Sequence, residues 1–222
     1  MFTFKAFNER NCLDIHDLSE ANFAWFNEYR KYSFMGDIIV EYIPHDEEDG
    51  EPIEGAEAKR VAILQCRFFD NTAIINDGMT LARVADMYDE DVAVGAIKVE
   101  KSGLLEVELD MDKEMRDLVD IYIEHLFVEP EFRGNGMATF ILNNLRNLMK
   151  YHFNVETRCV FAVIQPQIPG EDGNCHCWKN VDDPAMKEVM VKTLTNCEFE
   201  QLEASDYYVR NYGIDGVDDC ID

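Results

Sequence analysis

The chain has 222 residues, 47% of them hydrophobic, and carries 45 acidic against 20 basic residues for a formal charge of −25. That length supports one good core or at most two small ones. The charge repels nucleic-acid phosphates, no run approaches the ~20 apolar residues of a membrane span, and the N-terminus MFTFKAFNER lacks the charged-then-apolar order of a secretory signal. A soluble, cytoplasmic protein is therefore expected, with no nucleic-acid and no membrane partner. Its acidic surface would draw in cations such as amines, polyamines and Lys-rich tails.

In chain order, Phe2 to Phe7 alternates weakly, as an edge strand does. Asp17-Leu18-Ser19 precedes Phe23, Phe26, Tyr29 and Arg30 at helical spacing, with Asp17 or Ser19 as the cap. Asp37 to Ile43 and Arg60 to Phe69 read as two strands. Between them, residues 44–59 are acidic and carry Gly50, Pro52 and Gly55, so they form a loop at the tip of this pair. Residues 70–79 give no clear signal. Thr80 to Tyr88 and Val92 to Val99 are predicted as a hairpin across Asp89-Glu90-Asp91. A helix is the alternative for the first, because Leu81, Val84, Ala85 and Tyr88 keep a 3.6 period. Leu104 to Leu109 is predicted as a strand and Asp112 to Leu118 as a short helix.

Ile121 to Val128 is β-branched and aromatic, which suits a buried strand, and Pro130 ends it. Arg133-Gly134-Asn135-Gly136 then turns the chain. From Met137 onward Ala138, Ile141, Leu142, Leu145, Leu148 and Met149 fall at helical spacing. The glycines thus stand where a helix begins. Backbone N–H groups there lack internal partners and the helix dipole adds positive charge, so the turn is either an anion cradle or a plain strand-to-helix connection. It is not a P-loop, because Gly-Lys followed by Ser or Thr is absent. It fits a Rossmann turn poorly, because Thr139 occupies the third glycine position and Glu129 to Arg133 separate strand from glycine.

Thr157 to Gln165 is a buried strand, followed by a loop marked by Pro166, Pro169, Gly170 and Gly173. Asp183-Pro184 opens a helix whose inner stripe is Met186, Val189, Met190, Thr193, Leu194 and Cys197. Glu198 to Leu202 and Tyr207 to Tyr212 are predicted as the last strands, and 213–222 as a flexible acidic tail. The cysteines, Cys12, Cys66, Cys159, Cys175, Cys177, Cys197 and Cys220, are odd in number and irregularly spaced, which reads as free thiols. Cys175-His176-Cys177 has no second ligand pair, so no metal is expected.

Leu126-x-Val128-x-Pro130-x-x-Arg133-Gly134-x-Gly136-x-Ala138 resembles the acyl-CoA-binding motif of the GCN5-related N-acetyltransferases (GNAT), which reads Gln or Arg, two residues, Gly, one residue, Gly or Ala. Arg133, Gly136 and Ala138 are in register. The likeness is close over residues 121–150 and loose over 80–212. It implies an α/β fold of layered α+β type. A mixed, mostly antiparallel central sheet would be flanked by helices in a single domain spanning 1–222, with residues 36–78 inserted as an acidic hairpin. It implies transfer of acetyl from acetyl-CoA, as cosubstrate, to a primary amine of a cationic small molecule or a Lys or N-terminal acceptor. The alternative is a non-catalytic CoA-binding or protein-interaction member of that fold. A homodimer is left open.

By that resemblance the motif strand splays from the next one near Ala162 to Ile164. The acyl arm enters the gap beside the backbone of Phe127 and Val128, and the diphosphate lies on the amides of Arg133, Gly134, Asn135, Gly136, Met137 and Ala138. Asn180 and Ala185 loosely match contacts to the cofactor arm. Strand parity puts Glu124 on one face with Tyr122, Leu126 and Val128, where such enzymes hold an acidic base, and turns His125, the second candidate, away. The customary acid, a Tyr, is replaced by Leu194 in the segment ending Asn196-Cys197-Glu198-Phe199. Tyr208 is taken as its substitute, with Tyr207, Tyr212 or water as alternatives.

Overall fold

The computed structural model describes residues 2–8, 31–42, 44, 53, 55–103, 118–169 and 178–212. The β-branched and aromatic runs pair as one seven-stranded sheet among these residues: β1 (Phe2–Asn8), β2 (Ser33–Tyr42), β3 (Lys59–Asp70), β4 (Leu118–Val128), β5 (Glu156–Val163), β8 (Glu200–Gln201) and β9 (Tyr207–Asn211). Its spatial order is β1-β2-β3-β4-β5-β9-β8. Only β4 and β5 run parallel within it; every other neighbouring pair is antiparallel. Two short strands, β6 (Gln167–Pro169) and β7 (Trp178–Asn180), form a separate antiparallel pair. The result is the expected mixed, mostly antiparallel sheet flanked by helices.

The β2–β3 pair is the expected hairpin, and it lies within the sheet between β1 and β4. The reason is visible in β3, where Val61 through Phe69 is buried without a break. A strand apolar on both faces needs cover on both and therefore sits inside a sheet. One expectation is corrected: a pair of helices, not a hairpin, occupies residues 81–101. α1 (Asn71–Asn76), α2 (Leu81–Asp86) and α3 (Glu90–Lys101) follow β3 directly. Thr80 caps α2 through its hydroxyl, which accepts from Arg83 N at 3.1 Å. Asp89 caps α3 by accepting from Asp91 N at 2.8 Å and Val92 N at 3.2 Å. Val92, Ala93, Ala96 and Val99 then fall on one buried stripe. Gly95 belongs to this contact: a Cβ there would meet the Tyr207 ring at 2.8 Å, so glycine lets α3 approach β9.

The helix predicted from Met137 is two, α4 (Met137–Asn143) and α5 (Leu145–Phe153), joined at Asn144. The Asn144 side chain donates to Phe140 O at 2.8 Å, competing with the helical ladder. α6 (Pro184–Asn196) begins as expected, with the Asp183 side chain accepting from Ala185 N at 2.9 Å and Met186 N at 3.1 Å. One face of the sheet packs Phe34, Ile38, Phe68, Ile121 and Ile123 against α4, α5 and α6. The other packs Phe69, Tyr122, Phe161 and Tyr207 against α1, α2 and α3. The helix expected over 17–30, the strand at 104–109, the Cys175-His176-Cys177 loop and the tail lie outside the described residues, as does the short helix at 112–118 except for Leu118, which opens β4. Among the described residues Cys66, Cys159 and Cys197 are free thiols, and no helix is long and apolar enough to cross a membrane.

Candidate active site

The site begins where two parallel strands part. The β4–β5 ladder ends at Ile123 opposite Ala162. β4 continues to Val128, still paired with Ala62 of β3, whereas the chain after β5 stays with β9, Ile164 N donating to Asp206 O at 2.8 Å. The strands therefore diverge as a fork. A bulge stands at its base: His125 faces Gln65 and Ile123 faces Cys66, which leaves Glu124 as the extra residue of β4. Bulges bend a strand and re-aim its side chains.

The fork opens into a cavity of about 730 Å³. Its walls are the β4 arm from Tyr122 to Val128, the turn at Arg133–Gly136, the first residues of α4, and α6 with Met186 and Met190. A single turn of 3-10 helix, Pro130–Phe132, brings the chain out of β4. Gly134 and Gly136 then take left-handed φ values of 78° and 76°. Gly136 is the N-cap of α4 with no side-chain cap, and the first helical bond runs from Phe140 N to Gly136 O at 2.8 Å. By helix geometry the amides of Met137, Ala138 and Thr139 have no partner inside α4. A Cβ on Gly134 or Gly136 would meet nothing within 4 Å, so the turn is open to a bulky anion. Arg133 closes over the strand end: its Nε donates to Val128 O at 2.9 Å and its guanidinium lies 5.3 Å from the Phe127 ring centre.

Glu124 lines the cavity with its side chain 9% exposed. Its Oε1 accepts from Arg67 Nε at 3.1 Å and from the Tyr88 hydroxyl at 2.6 Å. The Arg67 guanidinium carbon sits 3.4 Å from the Tyr88 ring centre. Burial and the nearby Glu124 charge push the Tyr88 phenol well above its ordinary range, so it stays a donor. Burial does the same to Tyr122, the tyrosine on the cavity wall. His125 also lines the cavity; burial pushes its imidazole down to about 4 against the opposing effect of a hydrogen bond with Gln167, which leaves it neutral at neutral pH.

No family model matches the chain, and no curated protein matches its sequence. Among solved structures it is similar to Arabidopsis thaliana NAA60 crystallised in complex with acetyl-CoA, at 11% identity over 96% of this chain and 99% of that chain, with a TM-score of 0.42. A likeness that distant transfers nothing about activity.

Of the residues expected at the site, Phe127, Val128, Arg133, Gly134, Gly136, Met137 and Ala138 line the cavity, as does Ala185. Asn135 does not; its side chain turns back to Phe132 O at 3.4 Å. Asn180 stands off the wall, accepting at 2.8 Å from Gln167, which itself reaches the cavity. Tyr208 is not on the cavity wall: it is 5% exposed and packed in the core on the α4–α6 side of the sheet. The parity reading is corrected. Glu124 lies at the cavity, but the bulge separates it from Leu126 and Val128, which pack on the α4–α6 core, whereas Tyr122 packs on the other. The same bulge brings His125 to the cavity rather than away from it. Arg67 and Tyr88 went unforeseen. A lone charge inside the buried run Val61–Phe69 was the available signal for Arg67, since arginine is seldom buried unless paired.

Proposed function

We propose that this protein is an acyl-CoA-dependent N-acyltransferase that moves acetyl from acetyl-CoA to the primary amine of a cationic acceptor. One observation carries the reading: the parallel strands fork after Ile123 and Ala162, and the fork leads through one continuous cavity to the open glycine turn at Arg133–Ala138. A thioester on a long narrow arm ending in a diphosphate needs such a combination. The arm fills an apolar slot beside Met186 and Met190, the diphosphate meets amides that have no partner inside α4, and the acyl carbonyl lies along the β4 arm beyond the end of the β4–β5 ladder.

The chemistry follows from the wall. Glu124 takes a proton from the acceptor's ammonium, and the freed amine attacks the thioester carbonyl. The C–N bond forms, the C–S bond breaks with its electron pair on sulfur, and the proton then shed by nitrogen reaches the thiolate through solvent. Tyr122 stays protonated and is a poor proton source for a thiolate. The excess of 45 acidic over 20 basic residues favours a cationic acceptor over an anionic one.

Calorimetry with acetyl-CoA, followed by thiol release against polyamines, amino acids and Lys peptides, tests the proposal. Saturable heat and turnover are expected, with turnover lowered ~10²–10⁴-fold in Glu124→Gln while acetyl-CoA binding persists. Folded protein giving no heat at millimolar acetyl-CoA would end it. A second reading, a binder without catalysis, draws on the engagement of Glu124 Oε1 by Arg67 and Tyr88. Binding without turnover across the whole panel would favour it.

A further inference from the structure

We infer that Arg67 and Tyr88 are positioning residues that grip Glu124 by one oxygen and leave the other to meet the acceptor amine. The inference rests on the acyltransferase reading above and assigns its acceptor-side geometry.

Three elements converge here. Arg67 comes from the middle of β3, Glu124 from the bulge of β4, and Tyr88 from the turn between α2 and α3. Both donors reach Oε1, at 3.1 and 2.6 Å; neither of those bonds engages Oε2. The Arg67 and Glu124 side chains are 5% and 9% exposed, so water competes little for the pair. Tyr88 also stacks on the guanidinium, at 3.4 Å from carbon to ring centre, which fixes the plane in which Arg67 offers its N–H groups. An extra residue in a strand has more freedom than a laddered one, and its side chain needs outside support to hold a direction. The triad supplies that support from both flanks. Because the Tyr88 phenol stays protonated, it donates at every working pH and does not itself accept the amine's proton. Arg67 is absent from the cavity wall and Glu124 is on it, so the cation lies behind the carboxylate and not beside the substrate. A base displaced by as little as an ångström loses up to ~10²-fold in rate, which is why such a grip matters.

The test uses the full chain with Tyr88→Phe, which keeps the stacked ring, and Arg67→Lys, which keeps the charge but loses the planar fork. Acetyl-CoA affinity is read by calorimetry, melting temperature by circular dichroism, and kcat and KM with the best acceptor from the panel. Expected are unchanged acetyl-CoA affinity, an acceptor KM within about threefold and a kcat lower by about tenfold in each variant. Wild-type turnover with kcat retained within about twofold in both variants overturns the inference and leaves the acyltransferase reading standing. Loss of acetyl-CoA affinity in parallel with kcat also overturns it, since a purely structural role would do that. If wild type binds acetyl-CoA but turns over no acceptor, the grip serves no base and the inference falls together with the catalytic half of the proposal. If Arg67→Lys does not fold, Tyr88→Phe decides alone.

Discussion

Asp120 and Arg158 lock β4 to β5 three residues before the two strands part. Arg158 Nε donates to Asp120 Oδ1 at 2.9 Å, a second nitrogen bonds Asp120 Oδ2, and that nitrogen also reaches Asn71 Oδ1 at 3.0 Å. Asp120 is fully buried and Arg158 is 8% exposed. Burial works against the guanidinium's charge, yet the bonds and charge of Asp120 hold it above its ordinary range. A fork needs one closed end, and this pair closes it. Removing one partner strands the other in the core, so Asp120→Ala is expected to cost ~3–5 kcal/mol, whereas Asp120→Leu combined with Arg158→Met should cost far less. Urea denaturation of the three proteins checks this. Equal losses in the single and double variants would mean that the pair does not act as a unit.

Gly136 separates backbone cost from binding cost. Its φ of 76° is strained for any residue with a Cβ, but an added methyl would touch nothing within 4 Å. Gly136→Ala should therefore lose only ~1–2 kcal/mol of stability, the cost of a left-handed alanine. Gly55, with a φ of 80° and equally open surroundings, provides a matched control away from the cavity. Both variants should melt lower by similar amounts, but only Gly136→Ala should weaken acetyl-CoA, because its methyl points into the space the diphosphate would take. Calorimetry showing equal affinity in both would move the anion site elsewhere.

The sheet was legible because strands buried on two faces read as largely apolar runs, as Cys159–Ile164 does without a break and Val61–Phe69 does but for Gln65 and Arg67. The turn at the head of α4 was legible because Gly134 and Gly136 stand between a strand that ends at Pro130 and an apolar stripe at helical spacing. What sequence hid is equally specific. α3 carries Val92, Val94 and Val99, β-branched residues that imitate a strand, and the decisive clue is the cap Asp89, a residue type that suits a hairpin turn equally well. The bulge at Glu124 leaves no trace in the β4 sequence, since an extra residue exists only relative to its partner strand. Parity counted across it therefore failed for Leu126, Val128 and His125. The Arg67–Glu124 pair joins positions 57 apart, a distance no local pattern spans.

Asp183 starts α6 and also stands on the cavity wall. Its side chain satisfies two amides of the first helical turn, at 2.9 and 3.1 Å. Asp183→Ala should cost ~1 kcal/mol and lower the melting temperature by roughly 2–4 °C. Asp183→Asn keeps the acceptor oxygen and should recover most of that loss. Thermal melts of both variants decide the point; an Asn variant as unstable as the Ala variant would show that the negative charge, acting on the helix dipole, matters more than the cap bond.

His125 gives the protein a window of acid sensitivity. Burial lowers its imidazole from 6.5 to about 4 in the folded state. Between those values an unfolded histidine binds a proton that folded His125 refuses. The unfolded state then holds more protons, and stability falls as the pH drops from 6.5 toward 4. Above 6.5 both states are neutral and this contribution is flat; below 4 both are protonated and it levels off again. His125→Gln keeps a polar side chain near Gln167 without titrating. Its melting temperature should fall less steeply than that of the wild type across this window, while carboxylates elsewhere shift both proteins alike. Melts recorded from pH 4 to 7 with equal slopes for the two proteins would show that His125 exchanges its proton freely with solvent and is not held neutral at the fork.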